Sequence, residues 1–284
     1  MGTGQHNRDE GGGAYGSREA AEGWRRGAAT RARSLELATE TMLTMANLVI
    51  GSRVLDVAAG TGEQTILAAR RVGPAGSVLA TDIAAKMLKI AAEAAHQAGL
   101  SNVTTQVMDA QSLEVEPESF DAVISRVGLM FVPDLTRALA GIRRALKPGG
   151  KFAAVVVSSA EKNRYFALPL EIACHHARRP ASALDRIGLF SLGSPGFLEA
   201  AFTKAGFSNV TVQTVPTHRW YPSRAEALQD RKNSCPEVGE LMADLSDTER
   251  EIAWSEIERA IVQFEGPNGV VEVSGEVLVG AGTK

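Results

Sequence analysis

The chain has 284 residues, 44% of them hydrophobic and 22% charged, which is ordinary for a globular protein able to bury a sizeable core. A formal net charge of -3 and a pI of about 6.0 speak against a nucleic-acid binder, which needs a basic surface to hold phosphates. Two distant cysteines, Cys174 and Cys235, are too few for a disulfide scaffold or a structural zinc site, and no apolar run is long enough to span a bilayer.

Residues 1–17 are rich in glycine and charge and read as a disordered tail; this polar start is no signal peptide and predicts a cytoplasmic protein. A helical pattern begins at Arg18, with Leu35, Ala38, Met42, Met45 and Val49 on one face and Gly51 as its stop. Strand and helix then alternate. Strands are expected at 53–58, 77–81, 103–107, 120–125 and 151–158. Helices are expected at 64–72, 84–98 and 134–146, each ended by glycine or a Pro-Gly pair. Such alternation argues for an α/β fold, a Rossmann-like doubly wound and mostly parallel sheet with helices on both faces. Beyond Ser158 the pattern loosens. Residues 160–193 read as irregular helix, 197–205 as a helix, 210–215 as a strand, 223–265 as polar helix and 270–280 as a final strand. The expected organisation is one domain over 18–284. Its core is about 50–158, 194–217 and 270–282, and a helical cap comes from 18–49, 160–193 and 218–268.

The informative segment is Val54-Leu55-Asp56-Val57-Ala58-Ala59-Gly60-Thr61-Gly62, where the first strand turns into a helix. Gly60 and Gly62 let the backbone bend and approach a ligand closely, and the helix start offers unpaired N–H groups. A dinucleotide fingerprint has a third glycine where this chain has Thr65, and Asp56 would crowd a pyrophosphate with negative charge. S-adenosylmethionine carries no phosphate, and a carboxylate at Asp56 suits its ammonium, directly or through water. Asp82 ends the second strand, where an acid can accept bonds from ribose hydroxyls or cap the next helix. Asp109 and Ala110 follow the third strand, placed for an adenine edge.

With VLDVAAGTG, ATDIAAKML, MDAQSL, FDAVISRVGLMFVPD and RALKPGG in this order, the chain resembles the class I S-adenosylmethionine-dependent methyltransferases. Within them it is most similar to the ubiquinone/menaquinone-biosynthesis C-methyltransferase-like group. The resemblance covers roughly residues 50–158 and continues weakly through Ala205-Gly206-Phe207. It implies a seven-stranded sheet with the last strand antiparallel, S-adenosylmethionine as methyl donor, and cofactor roles for Asp56, Ala58, Gly60, Asp82, Ile83, Asp109, Ala110 and Ser125. Gly62, Met87 and Trp24 join this set, Trp24 either as a lid residue or as core. Ala58 stands where the family's general pattern has its first glycine, and it is tolerable only if φ stays negative there.

The candidate catalytic residues are His175, His176 and Arg126. Histidine is the natural base near neutral pH, and the pair lies in the expected cap; its alternative is a solvated helix face. Arg126 follows the fourth strand and either contacts substrate or pairs with a carboxylate. His218, with Trp220 and Tyr221, is a further candidate. Ser125-Arg126-Val127-Gly128 replaces the Asn-Pro-Pro-Tyr type motif of amino-group methylases. No metal-ligand cluster is found. The expected activity is methyl transfer to a small-molecule acceptor, at carbon or oxygen of a quinol, phenol, polyketide or similar metabolite. A homodimer is open; no nucleic acid and no membrane span are expected. A nicotinamide-dependent oxidoreductase and a non-catalytic methyltransferase-like partner subunit stay open as alternatives.

Overall fold

The computed structural model describes residues 18–180 and 188–284, so the tail expected at 1–17 lies outside the described residues. Three helices come first: α1 (Arg18–Arg26), α2 (Ala28–Ser34) and α3 (Glu36–Met45). The single long helix expected here is broken at Gly27, a weak helix former, and at Leu35, whose φ of -104° leaves the helical region. Val49 falls beyond α3 and is exposed.

The alternating part follows as β1 (Arg53–Val57), α4 (Glu63–Val72), β2 (Ser77–Asp82), α5 (Ala85–Gln97), β3 (Val103–Val107), β4 (Phe120–Arg126), α6 (Leu135–Ala145) and β5 (Leu146–Val157). Then come α7 (Arg164–His176), α8 (Phe197–Lys204), β6 (Ser208–Tyr221), α9 (Arg224–Ser234), α10 (Pro236–Leu241), α11 (Asp247–Ile261) and β7 (Val271–Thr283). The seven strands form one sheet in the order β3-β2-β1-β4-β5-β7-β6.

The fold is α/β and Rossmann-like, but the sheet is mixed rather than mostly parallel. β7 slots between β5 and β6 and runs against both, while β1 to β5 pair in parallel. β6 is longer than expected because residues 216–221 continue the antiparallel ladder with 271–276. The central strands are apolar on both faces, as a sheet covered on both sides requires.

One face packs α3 and α4. Leu35, Ala38, Met42, Leu43 and Ala68 meet Val54, Val155, Val277 and Val279. α3, expected in the cap, therefore belongs to the sheet's own covering layer. The other face shares one core with α6, α7, α9, α10 and α11, running from Leu139 and Phe152 to Tyr165, Ala227, Val238 and Ile257. The helices after β5 are thus continuous with the sheet's core. No helix among the described residues is long and apolar enough to cross a membrane.

Candidate active site

The turn from β1 into α4 is built on left-handed backbone. Ala58 has φ +57°, Gly60 +57° and Gly62 +86°. Gly60 and Gly62 adopt this freely, whereas Ala58 does so against a steric cost. The condition set on Ala58, a negative φ, is not met. Neighbouring packing holds the strain in place: a Cβ on Gly128 would lie 2.4 Å from Ala58 Cβ, so the two backbones touch closely there. Gly62 is close-packed too, since a Cβ would come 2.8 Å from Ala91 Cβ. Gly60 N–H donates to Asp82 Oδ2 (2.9 Å), and Ala84 N–H donates to Asp82 Oδ1 (2.9 Å). Asp82 thus ties the end of β2 to the glycine turn. Burial raises its pKa against these N–H bonds. The carboxylate, with about four lone-pair sites, retains capacity for a further donor.

Asp56 lies beneath the turn, fully buried. Thr65 Oγ1 donates to its Oδ2 (2.6 Å) and Gln64 Nε2 to its Oδ1 (3.2 Å). Burial pushes its carboxyl up to about 7, opposed by these two bonds. Gln64 Nε2 also donates to the Ala59 carbonyl (3.1 Å). With the amide nitrogen held by two acceptors, Gln64 Oε1 is left buried with no partner.

Three charges from distant segments meet beside the turn. Glu63, the first residue of α4, accepts from Arg31 of α2 (2.6 Å) and from Arg126 of β4 (2.9 Å). Burial alone would raise the Glu63 pKa, but the two guanidinium groups hold it below the usual range. Arg31 is pushed down to about 10 by burial, against the attraction of Glu63. Its guanidinium stacks 4.0 Å over the Trp24 ring.

These groups border one cavity of about 470 Å³ at the carboxyl ends of β1, β2 and β4, the usual ligand position in such sheets. One wall carries Asp82, Ile83, Met87, Met108, Asp109 and Ala110, and another carries Arg126, Val127, Gly128, Phe131, Val132 and Pro133. Asp109 accepts from the backbone (2.8 Å) and side chain of Gln111, which fixes the short turn over Ala110–Ser112. A Cβ on Gly60 would lie 3.5 Å from Trp24 Nε1, so Trp24 covers the turn.

A protein-family model described as "Methyltransferase domain" matches residues 54–150. A demethylmenaquinone methyltransferase of Anoxybacillus flavithermus is 33% identical over 183 residues, covering 61% of this chain and 77% of the relative. One of Listeria welshimeri is 39% identical over 119 residues, covering 42% of this chain and 50% of the relative, so the chain spans about half of that relative's length. The chain belongs to the class I S-adenosylmethionine-dependent methyltransferases, in the ubiquinone/menaquinone-biosynthesis C-methyltransferase-like group. The YcgJ protein of Bacillus subtilis shares the fold, with a TM-score of 0.58 at 18% identity over 88% of this chain and 98% of that one. The nicotinamide-dependent oxidoreductase reading falls with this membership.

The residues of this methyltransferase fit its cofactor, S-adenosylmethionine. A buried, unpartnered acceptor at Gln64 faces the need of an ammonium, and acidic side chains with spare lone pairs stand at the ends of β2 and β3. Of the residues expected from the sequence, Trp24, Ala58, Gly60, Asp82, Ile83, Met87, Asp109, Ala110 and Arg126 line the cavity. Asp56, Gly62 and Ser125 do not. Asp56 holds Gln64 and Thr65 and does not itself line the cavity. Ser125 is buried under the floor. Arg126 lines the wall but is engaged by Glu63 and Thr39.

His175 and His176 lie on α7, away from the cavity. His176 is half-buried and bonds Glu256 of α11 (2.8 Å), while His175 is exposed. His218 and Trp220 stand exposed on the edge strand β6, their rings stacked. Sequence reasoning missed Arg31, Glu63 and Gln64. A signal existed for two of them: Glu63 and Gln64 open the helix directly after Gly62, where an acid is favoured by the helix dipole and side chains can turn back to the loop.

Proposed function

We propose that this methyltransferase modifies a carbon or oxygen of a small, partly apolar acceptor: a quinol, phenol, polyketide or related metabolite. The observation that carries this is one cavity beside the glycine turn whose lining includes two carboxylates, Asp82 and Asp109, and the apolar Val127, Phe131, Val132 and Pro133. Asp82 would hold the ribose hydroxyls. Asp109 and the Ala110 N–H would meet the adenine edge, with Ile83, Met87 and Met108 against its faces. Gly60 and Gln64 would take the methionyl end, with Arg31 opposite its carboxylate. When bound, S-adenosylmethionine supplies an electrophilic methyl group on a sulfonium. The chain's own task is then to set the acceptor atom about 3 Å from that methyl in line with the sulfur and to exclude water. Helices α1, α2 and α10, through Trp24, Arg31, Glu237 and Glu240, would form the cap that does this. No histidine lines the cavity among the described residues, which accords with an acidic phenol or enol that needs positioning more than a strong base. The demethylmenaquinone methyltransferases among the relatives favour a quinol-like ring.

Calorimetric titration with S-adenosylhomocysteine tests the site. Micromolar binding is expected, weakened at least tenfold (about 1.4 kcal/mol) by Asp82→Ala, with no binding of NADH. Unchanged affinity in the variant would remove Asp82 from the site. Labelled-methyl transfer to a panel of quinols, phenols and polyketides then identifies the acceptor class.

A further inference from the structure

Val127, the residue after β4, has φ +57°. Among the described non-glycine residues with positive φ it is the one β-branched side chain, and a β-branched residue adopts left-handed backbone only under constraint. The source of the constraint is visible. Val127 N–H donates to the Val155 carbonyl (2.8 Å), which extends the β4 ladder by one bond, and the next residue, Gly128, lies tight against Ala58 of the glycine turn. Glycine or asparagine would take this φ at lower cost, so what the position gains from valine is its isopropyl group.

That group stands at a junction. Val127 borders the cofactor cavity and also a smaller adjoining chamber of about 50 Å³, and it packs against the cores on both faces of the sheet. The chamber's apolar wall is completed by Leu35, Phe131, Val157, Phe166, Leu189 and Val277. Its charged groups are matched among themselves. Arg31 is held by Glu63, while Arg219 and Arg231 stand 3.7 and 2.6 Å from Asp230 and share the chamber with a second carboxylate, Glu237. An ionic group entering here would lose its water and meet charges already committed to one another. A neutral apolar group gains by burying its surface. The volume sets the size of that group. One water needs roughly 10–15 Å³ of such space, so the chamber takes the equivalent of about four. A short branched alkyl group fits and an aromatic ring does not.

We propose that Val127 is a specificity-determining residue for the acceptor: it stands between the main cavity, where the reacting ring is seated, and the chamber, which takes a short neutral alkyl substituent of that ring. The inference rests on the methyltransferase reading above and narrows it to an acceptor with such a substituent. The strained backbone at Val127 holds the isopropyl group at the border of the two spaces, and its bulk limits what passes from one to the other.

The full chain, saturated with S-adenosylhomocysteine, is titrated with catechol, 4-tert-butylcatechol and 4-phenylcatechol. The tert-butyl compound is expected to bind at least tenfold tighter than catechol, because its alkyl group is buried, and the phenyl compound no tighter than catechol. Val127→Ala makes room at the border and improves the phenyl compound at least fivefold over wild type. Leu189→Phe fills the chamber from a residue that does not border the main cavity, and it removes the tert-butyl preference. Equal binding of the three catechols by the wild-type protein, or binding of none, overturns the subsite while leaving the cofactor site intact. The wild-type ranking retained in both Val127→Ala and Leu189→Phe overturns it as well and makes Val127 a packing residue at the end of β4. Failure to bind S-adenosylhomocysteine in the first place overturns the cofactor reading and this inference together.

Discussion

Asp56 is a carboxyl group that the fold keeps out of water and away from the cavity lining. Its oxygens orient Thr65 and Gln64, and Gln64 in turn presents an acceptor that has no protein partner. The cost of this burial depends on pH. An aspartate in an unfolded chain titrates near ~3.9, whereas here burial lifts it to about 7. Between these two values the unfolded chain is ionised and the native one still protonated, so native stability falls as pH rises through that window and levels off above it. Asp82, raised in the same direction, adds to the slope. In urea titrations from pH 4 to 8, Asp56→Asn should therefore flatten the decline relative to wild type by a few kcal/mol across the window. Parallel curves for the two proteins would mean that Asp56 is ionised in the native state.

The glycine turn can be tested as a local machine. Ala58 in left-handed backbone costs roughly 1–2 kcal/mol, and its Cβ fills the space over Gly128. Replacing Gly128 by alanine forces two methyl groups together, so Gly128→Ala should destabilise by roughly 1–3 kcal/mol as an overpacking change. In an Ala58→Gly background that collision disappears, since the next atoms around a Gly128 Cβ stand at 3.4 Å or beyond. The double-mutant cycle should then show a coupling of roughly 1 kcal/mol or more, read from chemical denaturation. Additive effects would mean that the loop relaxes and the contact is loose.

Much of this element was readable in advance, because β1, β2 and β4 carry short apolar runs bounded by glycine, proline and acidic turns. Other parts were not. β6 runs on through Pro216, His218 and Trp220 because it is an edge strand with one partner, and there apolar alternation is not required. The cluster of Arg31, Glu63 and Arg126 was hidden because its three members come from α2, α4 and β4 and meet only through tertiary packing. For the same reason the sequence could not place the histidines of α7: periodicity shows a helix, but not which way it faces the site.

At the scale of the whole molecule, the question is how the N-terminal helices are held over a cavity at the carboxyl ends of the central strands. α1 packs Ala21 against Ala84 and Met87 at the start of α5, with Trp24 beside them, and meets α9 closely at Gly23 and Arg26, the latter donating to Asn233 Oδ1 (3.1 Å). α2 is anchored mainly through Arg31, which bonds Glu63, Thr61 and the Trp24 carbonyl. Elements with few buried apolar contacts open locally at low free energy, whereas α11 and β7 share the main core. A ligand that touches both the glycine turn and Trp24 adds its binding free energy to the closed arrangement, about 2.7 kcal/mol at a hundredfold excess over Kd. Hydrogen exchange with and without S-adenosylhomocysteine should therefore slow most in residues 18–34, together with 56–62 and 82–88, and change little in α11. Slowing confined to 56–62 and 82–88 would show that the cofactor rests on the sheet alone. In that case Trp24 and Arg31 would be fixed walls, and closure over the acceptor would fall to α10.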